Sequence, residues 1–247
     1  KPRRRRPSTD ADQRTPTSVP SMTNTIFARV AGFELPLFRR EGKAEATLYV
    51  SSGVHGDEPA GPLGLLEAFR HREFGDHFGW ILFPVLNPTG LTRGTRETAE
   101  NIDLNRDYKI LAAAESRAHR ALLESIAPEI EAALGLHEDW EAEGAYLYEH
   151  NPTGKANPCG ALLRALEEEI GLQPGDEIDG WPTASKGLIH PPSDPDLREY
   201  WPEQIYLLRN FTNMSYTVET PSDMPLEIRK NAIRKALRAF GDPNSWV

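Results

Sequence analysis

Four apolar, strand-like runs in this chain each lead into a polar residue capable of chemistry. Thr47–Ser51 runs into a loop carrying His55, and Trp80–Val85 stops at Asn87-Pro88. Ile130–Leu136 ends at His137, and Met214–Val218 ends at Glu219. Runs of this length, rich in branched and aromatic residues, suit strands buried on both faces. Between them lie segments with helical spacing: Pro62–Arg70, Glu115–Ala127, Cys159–Ile170 and Pro225–Phe240. Strands alternating with helices predict one α/β domain, a mixed and mostly parallel central sheet with helices on both faces. Ligand chemistry in such sheets collects at the carboxyl ends of the strands, where His55, Asn87, His137 and Glu219 fall.

The first 24 residues stand apart. They open with Lys1-Pro2-Arg3-Arg4-Arg5-Arg6-Pro7 and continue in Ser, Thr, Asp, Gln and Pro, the composition of a disordered basic tail. The catalytic domain is therefore expected over residues 25–247, beginning with a hairpin of Thr25–Val30 and Glu34–Phe38 that turns at Ala31-Gly32. No run approaches the roughly 20 apolar residues that span a bilayer, and no apolar segment backs the basic start as in a secretory signal. The expectation is a soluble, cytoplasmic protein with no membrane partner. Lys and Arg number 28 against 37 Asp and Glu, a net charge of −9, which argues against a nucleic-acid surface. A single cysteine, Cys159, excludes an intrachain disulfide and a Cys-rich metal site, so a metal here needs His and carboxylate ligands.

Four constellations carry that chemistry. In His55-Gly56-Asp57-Glu58 an imidazole and a carboxylate three residues apart can face one cation, and nitrogen with oxygen suits zinc. His137 closes an apolar strand and needs partners for its ring nitrogens. Arg93-Gly94-Thr95-Arg96, followed by Asp103-Leu104-Asn105-Arg106, offers planar guanidinium forks and an amide donor to an anion. Glu219, at the end of a buried strand, is placed to have the raised pKa of a general base. Each has an ordinary alternative taken singly. H-x-x-E arises by chance, a core histidine is satisfied by a carbonyl, and the arginines have Glu97, Glu100, Asp103 and Asp107 nearby.

Their order is more specific than any member. H-x-x-E, R-G-T-R, D-L-N-R, a strand-terminal His and a strand-terminal Glu together resemble the zinc metallocarboxypeptidases, over about Leu48 to Pro221. The resemblance implies one zinc ion on His55, Glu58 and His137, with Glu219 as general base and Arg93 steadying the oxyanion. It implies that Asn105 and Arg106 hold the substrate carboxylate and that Asp103 orients a ligand imidazole, His55. The implied reaction is hydrolysis of the C-terminal amide bond of a peptide. Asp57 stands where digestive-type enzymes carry Arg. That moves the resemblance toward bacterial murein-peptide carboxypeptidases and toward the related deacylases, succinylglutamate desuccinylase and aspartoacylase, which hydrolyse N-acyl amino acids. The expected substrate is a peptide or N-acyl amino acid with a free carboxylate. Tyr200, Tyr206 and Tyr216 all precede Glu219, and the sequence does not single out one of them to close over it.

Overall fold

The computed structural model describes residues 21–126 and 128–247. Residues 1–20 of the expected tail lie outside the described residues. Its proposed end at residue 24 is too late, because the first strand already begins at Thr23.

That strand, β1 (Thr23–Val30), pairs antiparallel with β2 (Phe33–Arg40). Ala31 and Gly32 form the tip with φ of 49° and 85°, the positive pair that a two-residue hairpin turn requires. The sheet continues through β4 (Gly79–Phe83), β3 (Thr47–Ser52), β5 (Ile130–Asp139) and β10 (Ser215–Pro221), four mutually parallel strands. Beyond β10 it runs through β6 (Tyr146–His150), β9 (Leu188–Ile189), β8 (Trp181–Ser185) and β7 (Glu177–Ile178). The result is one ten-stranded mixed sheet with a parallel centre and largely antiparallel edges.

Strand alternation sends the core in two directions. Leu48 and Val50 point to one face with Leu134, Leu136, Tyr216 and Val218. Helices α1 (Ala60–Arg70), α4 (Cys159–Glu169) and α6 (Leu226–Gly241) cover that face through Leu65, Leu162, Leu166, Ile233 and Leu237. Each of these fully buried side chains contributes about 2 kcal/mol by leaving water. Tyr49, Ile81, Phe83 and Ala133 point the other way, under α3 (Ala114–Ile126) and α5 (Glu203–Asn210), which supply Leu123, Tyr206 and Leu207.

Three local departures from the sequence expectation matter for the site. β4 stops at Phe83 because Pro84 has no N–H for the ladder, and Asn87 then caps the short helix α2 (Pro88–Arg93) by accepting from the Gly90 amide at 2.8 Å. β5 and β10 run past their apolar stretches, so His137 and Glu219 lie inside strands rather than after them. The Gly-, Pro- and Asp-rich region after α4 holds the short strands β7, β8 and β9, while β6 and α5 had no clear signal. No helix among the described residues is long and apolar enough to cross a membrane.

Candidate active site

The carboxyl ends of β3 and β5 bring three of the expected residues together. His55, Glu58 and His137 are buried, and one ligand-type atom from each lies within 4.8 Å of the others. His55 Nδ1 is 2.5 Å from Glu58 Oε1, and His137 Nδ1 is 3.0 Å from Glu58 Oε2. Both imidazoles thus turn the same nitrogen toward one point. Burial works to raise the Glu58 pKa, but the two imidazoles overcome it and bring it down to about 2. Burial works to lower both histidines, and Glu58 overcomes it in turn. Glu58 Oε2, fully shielded from solvent, has no well-directed hydrogen-bond donor. An anionic oxygen left short of a donor, facing two imidazole nitrogens, is a donor set that fits a divalent cation.

The loop that carries His55 and Glu58 depends on Gly56, for space rather than for turning. Gly56 is not among the residues of positive φ, but a Cβ there would lie 1.9 Å from the Gly90 carbonyl carbon and 2.2 Å from the Leu91 nitrogen. The metal-type loop and the start of α2 are in backbone contact. Asp57 is exposed at the loop's tip.

Asp103 meets His55 from behind: its Oδ1 is 3.2 Å from His55 Nε2, while Oδ2 accepts from Arg96 Nε at 3.0 Å. Burial opposes ionisation, but His55, Arg96 and Arg106 hold the Asp103 carboxyl well below the usual range. A fixed carboxylate on Nε2 leaves Nδ1 free to act as a ligand.

The structure does not bring Arg93 to this site. Arg93 is the exposed last residue of α2, donating among the described residues only to the Ala99 carbonyl at 3.5 Å. Gly94 then takes the left-handed conformation (φ 64°) and reverses the chain, so that Arg96, the second arginine of R-G-T-R, lines the pocket instead. Arg96 Nη1 lies 3.9 Å from Glu58 Oε1, and its carbonyl accepts from Asn87 Nδ2 at 3.1 Å. Two arginines three apart look equivalent in sequence; the αL glycine between them decides which faces inward.

Glu219 is half-buried beside the cluster and makes no side-chain hydrogen bond among the described residues. Burial first, then Glu58 and Asp139, push its pKa up to about 8, against the opposing pull of His137 and Arg96. Such a carboxylate holds or releases a proton near neutral pH.

His55, Glu58, Arg96 and Glu219 line one cavity of ≈ 570 Å³. Asn105, Arg106 and Arg198 line one part of it. Arg198 had no motif to mark it; its Nη2 donates to the Pro192 carbonyl at 3.1 Å, and its buried Nε has no partner among the described residues. Elsewhere the wall carries Trp140, Tyr146, Tyr148, Asp179 and Trp181. Tyr146 and Tyr148 were missed because β6 was missed; Tyr146 is the register partner of Glu219 and donates to Asp139 at 2.9 Å. Of the three tyrosines preceding Glu219, Tyr206 and Tyr216 are buried in the core, and Tyr200 lines the cavity. Glu138 is structural, accepting the Ala60 amide at 2.7 Å and pairing with Arg229. Cys159 begins α4 with its thiol pushed up to about 12 by burial, an inert group.

A His–Glu–His cluster beside a carboxylate of raised pKa, at the carboxyl edge of a parallel sheet, defines the class as metallohydrolase. The catalytic-domain profile of the succinylglutamate desuccinylase/aspartoacylase family matches residues 44–172, and the chain belongs to that family. A candidate metallopeptidase from Shewanella amazonensis is 26% identical, with a TM-score of 0.76 over 89% of this chain and 85% of that one. A metallo-carboxypeptidase from Burkholderia cenocepacia is 16% identical with a TM-score of 0.65, over 90% of this chain and 64% of its own. An aspartoacylase family protein from Mesorhizobium loti is 17% identical with a TM-score of 0.59, over 90% and 67%. The last two share the fold. No functionally curated protein matches the sequence.

Proposed function

We propose that this chain is a zinc-dependent metallocarboxypeptidase that hydrolyses the C-terminal amide bond of a peptide. The observation that carries the reading is a single cavity lined by His55, Glu58, Glu219, Asn105 and Arg106, with His137 completing the His–Glu–His cluster at its edge. A zinc ion on His55, Glu58 and His137 would supply a Lewis acid for the scissile carbonyl and lower the pKa of the attacking water.

The chain's own residues supply the remaining steps. Arg106 and Asn105 hold the free carboxylate of the substrate, which fixes the adjacent amide over the cluster. Glu219 takes the proton from the attacking water and returns it to the leaving amine nitrogen. Arg96 stands next to Glu58 and donates to the oxygen that gains charge as the carbonyl becomes tetrahedral. Asp103 holds His55 by its Nε2 throughout.

A second reading, deacylation of N-acyl amino acids, is favoured by the match to the succinylglutamate desuccinylase/aspartoacylase family. Both reactions cleave the amide whose nitrogen belongs to the residue bearing the free carboxylate, so the same machinery serves either. They differ in what lies on the acyl side. The cavity of ≈ 570 Å³, with Trp140, Tyr148, Asp179 and Trp181 in its wall, is larger than an amino acid with a small acyl group needs, which supports the peptide.

The test is a panel of dipeptides, longer peptides and N-acyl amino acids, assayed with and without chelator and with zinc restored, alongside metal content by mass spectrometry. Peptide turnover that is lost on chelation and regained with zinc is expected. Turnover of N-acyl amino acids alone selects the deacylase, and turnover indifferent to chelator overturns both.

A further inference from the structure

Glu203 is completely buried and belongs to no motif, yet it sits directly behind the carboxylate-binding wall. Its carboxylate accepts from Tyr49 Oη and, at 2.6 Å, from Ser51 Oγ, both on β3. Its backbone amide, the first of α5, donates to Asn105 Oδ1 at 3.1 Å. Pro202 gives α5 no side-chain cap, so Asn105 caps the helix from another segment.

With the Glu203 carboxyl ionised, the donor count fixes the direction of every bond. Tyr49 has one hydroxyl proton and gives it to Glu203, so His119 Nε2–H must donate to Tyr49 Oη across 3.0 Å. His119 Nδ1 then accepts from Tyr108 Oη at 2.7 Å. Tyr108 lies three residues after Asn105, so the chain of bonds closes into a ring. It joins the Asn105 segment to α3, then to β3, to α5 and back. The ring's strand, β3, leads into the loop carrying His55 and Glu58.

We infer that Glu203 is a positioning residue for Asn105. With Asn105 Oδ1 committed to the Glu203 amide, Nδ2 is turned away from α5, has no protein partner among the described residues, and is left for the substrate carboxylate. Clamping the Glu203 side chain to Tyr49 and Ser51 ties the start of α5 to β3, which fixes the span from the metal-type cluster to that donor. The inference rests on Asn105 being a substrate-carboxylate donor, as in the proposed function.

The test uses Glu203→Gln, Tyr49→Phe, Asn105→Ala and the two double variants with Asn105→Ala, all in the full chain. In ¹H–¹⁵N spectra the Asn105 side-chain amide pair, assigned by its loss in Asn105→Ala, should shift or broaden in Glu203→Gln and Tyr49→Phe. In turnover of the preferred panel substrate, Glu203→Gln should raise KM about tenfold with kcat little changed, and under twofold once Asn105 is already alanine. Tyr49→Phe should act in the same direction, and it decides the matter if Glu203→Gln does not fold. An unmoved Asn105 resonance, or losses that simply multiply in the double variants, overturns the inference. If the zinc-loaded wild type hydrolyses nothing in the panel, the proposed function fails, and the spectra still decide whether Glu203 sets Asn105.

Discussion

Glu219 and His137 are register partners on adjacent parallel strands, β10 and β5. The relationship fixes the distance between a ligand-type imidazole and the free carboxylate through backbone hydrogen bonds, with no hydrogen bond or ion pair between the two side chains among the described residues. Rigid placement of this kind leaves no loop motion to bring the proposed base and the His–Glu–His cluster together.

Separating the two roles is the first consequence. Glu219→Gln keeps the shape and removes the base, so kcat should fall by about 10³-fold or more while bound zinc is unchanged. His137→Ala should lose both metal and activity. Metal content and turnover measured on the same preparations check this, and a Glu219→Gln protein that keeps turning over removes Glu219 from the mechanism.

The two arginines of R-G-T-R should behave differently. Arg96 lines the cavity beside Glu58 and Asp103, whereas Arg93 is exposed at the end of α2. Arg96→Ala should lower kcat/KM by about 10²-fold, the usual cost of one oxyanion donor, and Arg93→Ala by less than about twofold. Steady-state kinetics on both variants suffice, and the reverse ranking would return Arg93 to the site.

This contrast marks how far the sequence could be read. The parallel centre of the sheet was legible because strands buried on both faces need continuous apolar runs, and β3, β4, β5 and β10 have them. His55, Glu58, His137, Asp103 and Glu219 were legible because each follows or belongs to a motif in chain order. Arg96 was missed because only the backbone turn at Gly94 separates it from Arg93. Tyr146 and Tyr148 lie on β6, where His, Glu and Asn crowd the strand's end and blur the pattern. Arg198 lies before α5 and Glu203 is its first residue; neither belongs to a motif, and only the folded chain brings the one to the cavity and the other to Asn105.

Gly56 gives a structural prediction. A methyl group there must displace the backbone of Gly90 and Leu91, which lie within 2.2 Å of its position. Gly56→Ala should cost about 3 kcal/mol of stability, at the upper end for overpacking, because backbone cannot yield as a side chain can. It should also weaken zinc binding, since His55 and Glu58 flank it. Denaturant unfolding of the metal-free protein and a zinc titration read the two effects. A variant as stable as wild type would show that the loop and α2 are not in contact.

His119 offers a test of the buried ring through pH. It is wholly buried, and burial lowers its pKa from 6.5 to about 3. Below pH 6.5 the unfolded chain takes up a proton there that the folded chain refuses. The stability that His119 contributes is therefore complete above pH 6.5 and is lost progressively as pH falls toward 3. Between pH 7.5 and 5.5 the loss from this one group is about 1.4 kcal/mol. His150 shifts in the same direction, while Glu219, His55 and His137 shift upward and oppose it, so the raw pH slope belongs to all of them. The difference between wild type and His119→Gln isolates His119, because every other titrating group is common to the two proteins. Denaturant unfolding should find the variant's deficit smaller by about 1.4 kcal/mol at pH 5.5 than at pH 7.5. An equal deficit at both values would mean that His119 takes its proton in the folded protein as readily as in the unfolded chain. The one-directional chain from Tyr108 to Glu203 would then be broken at its middle.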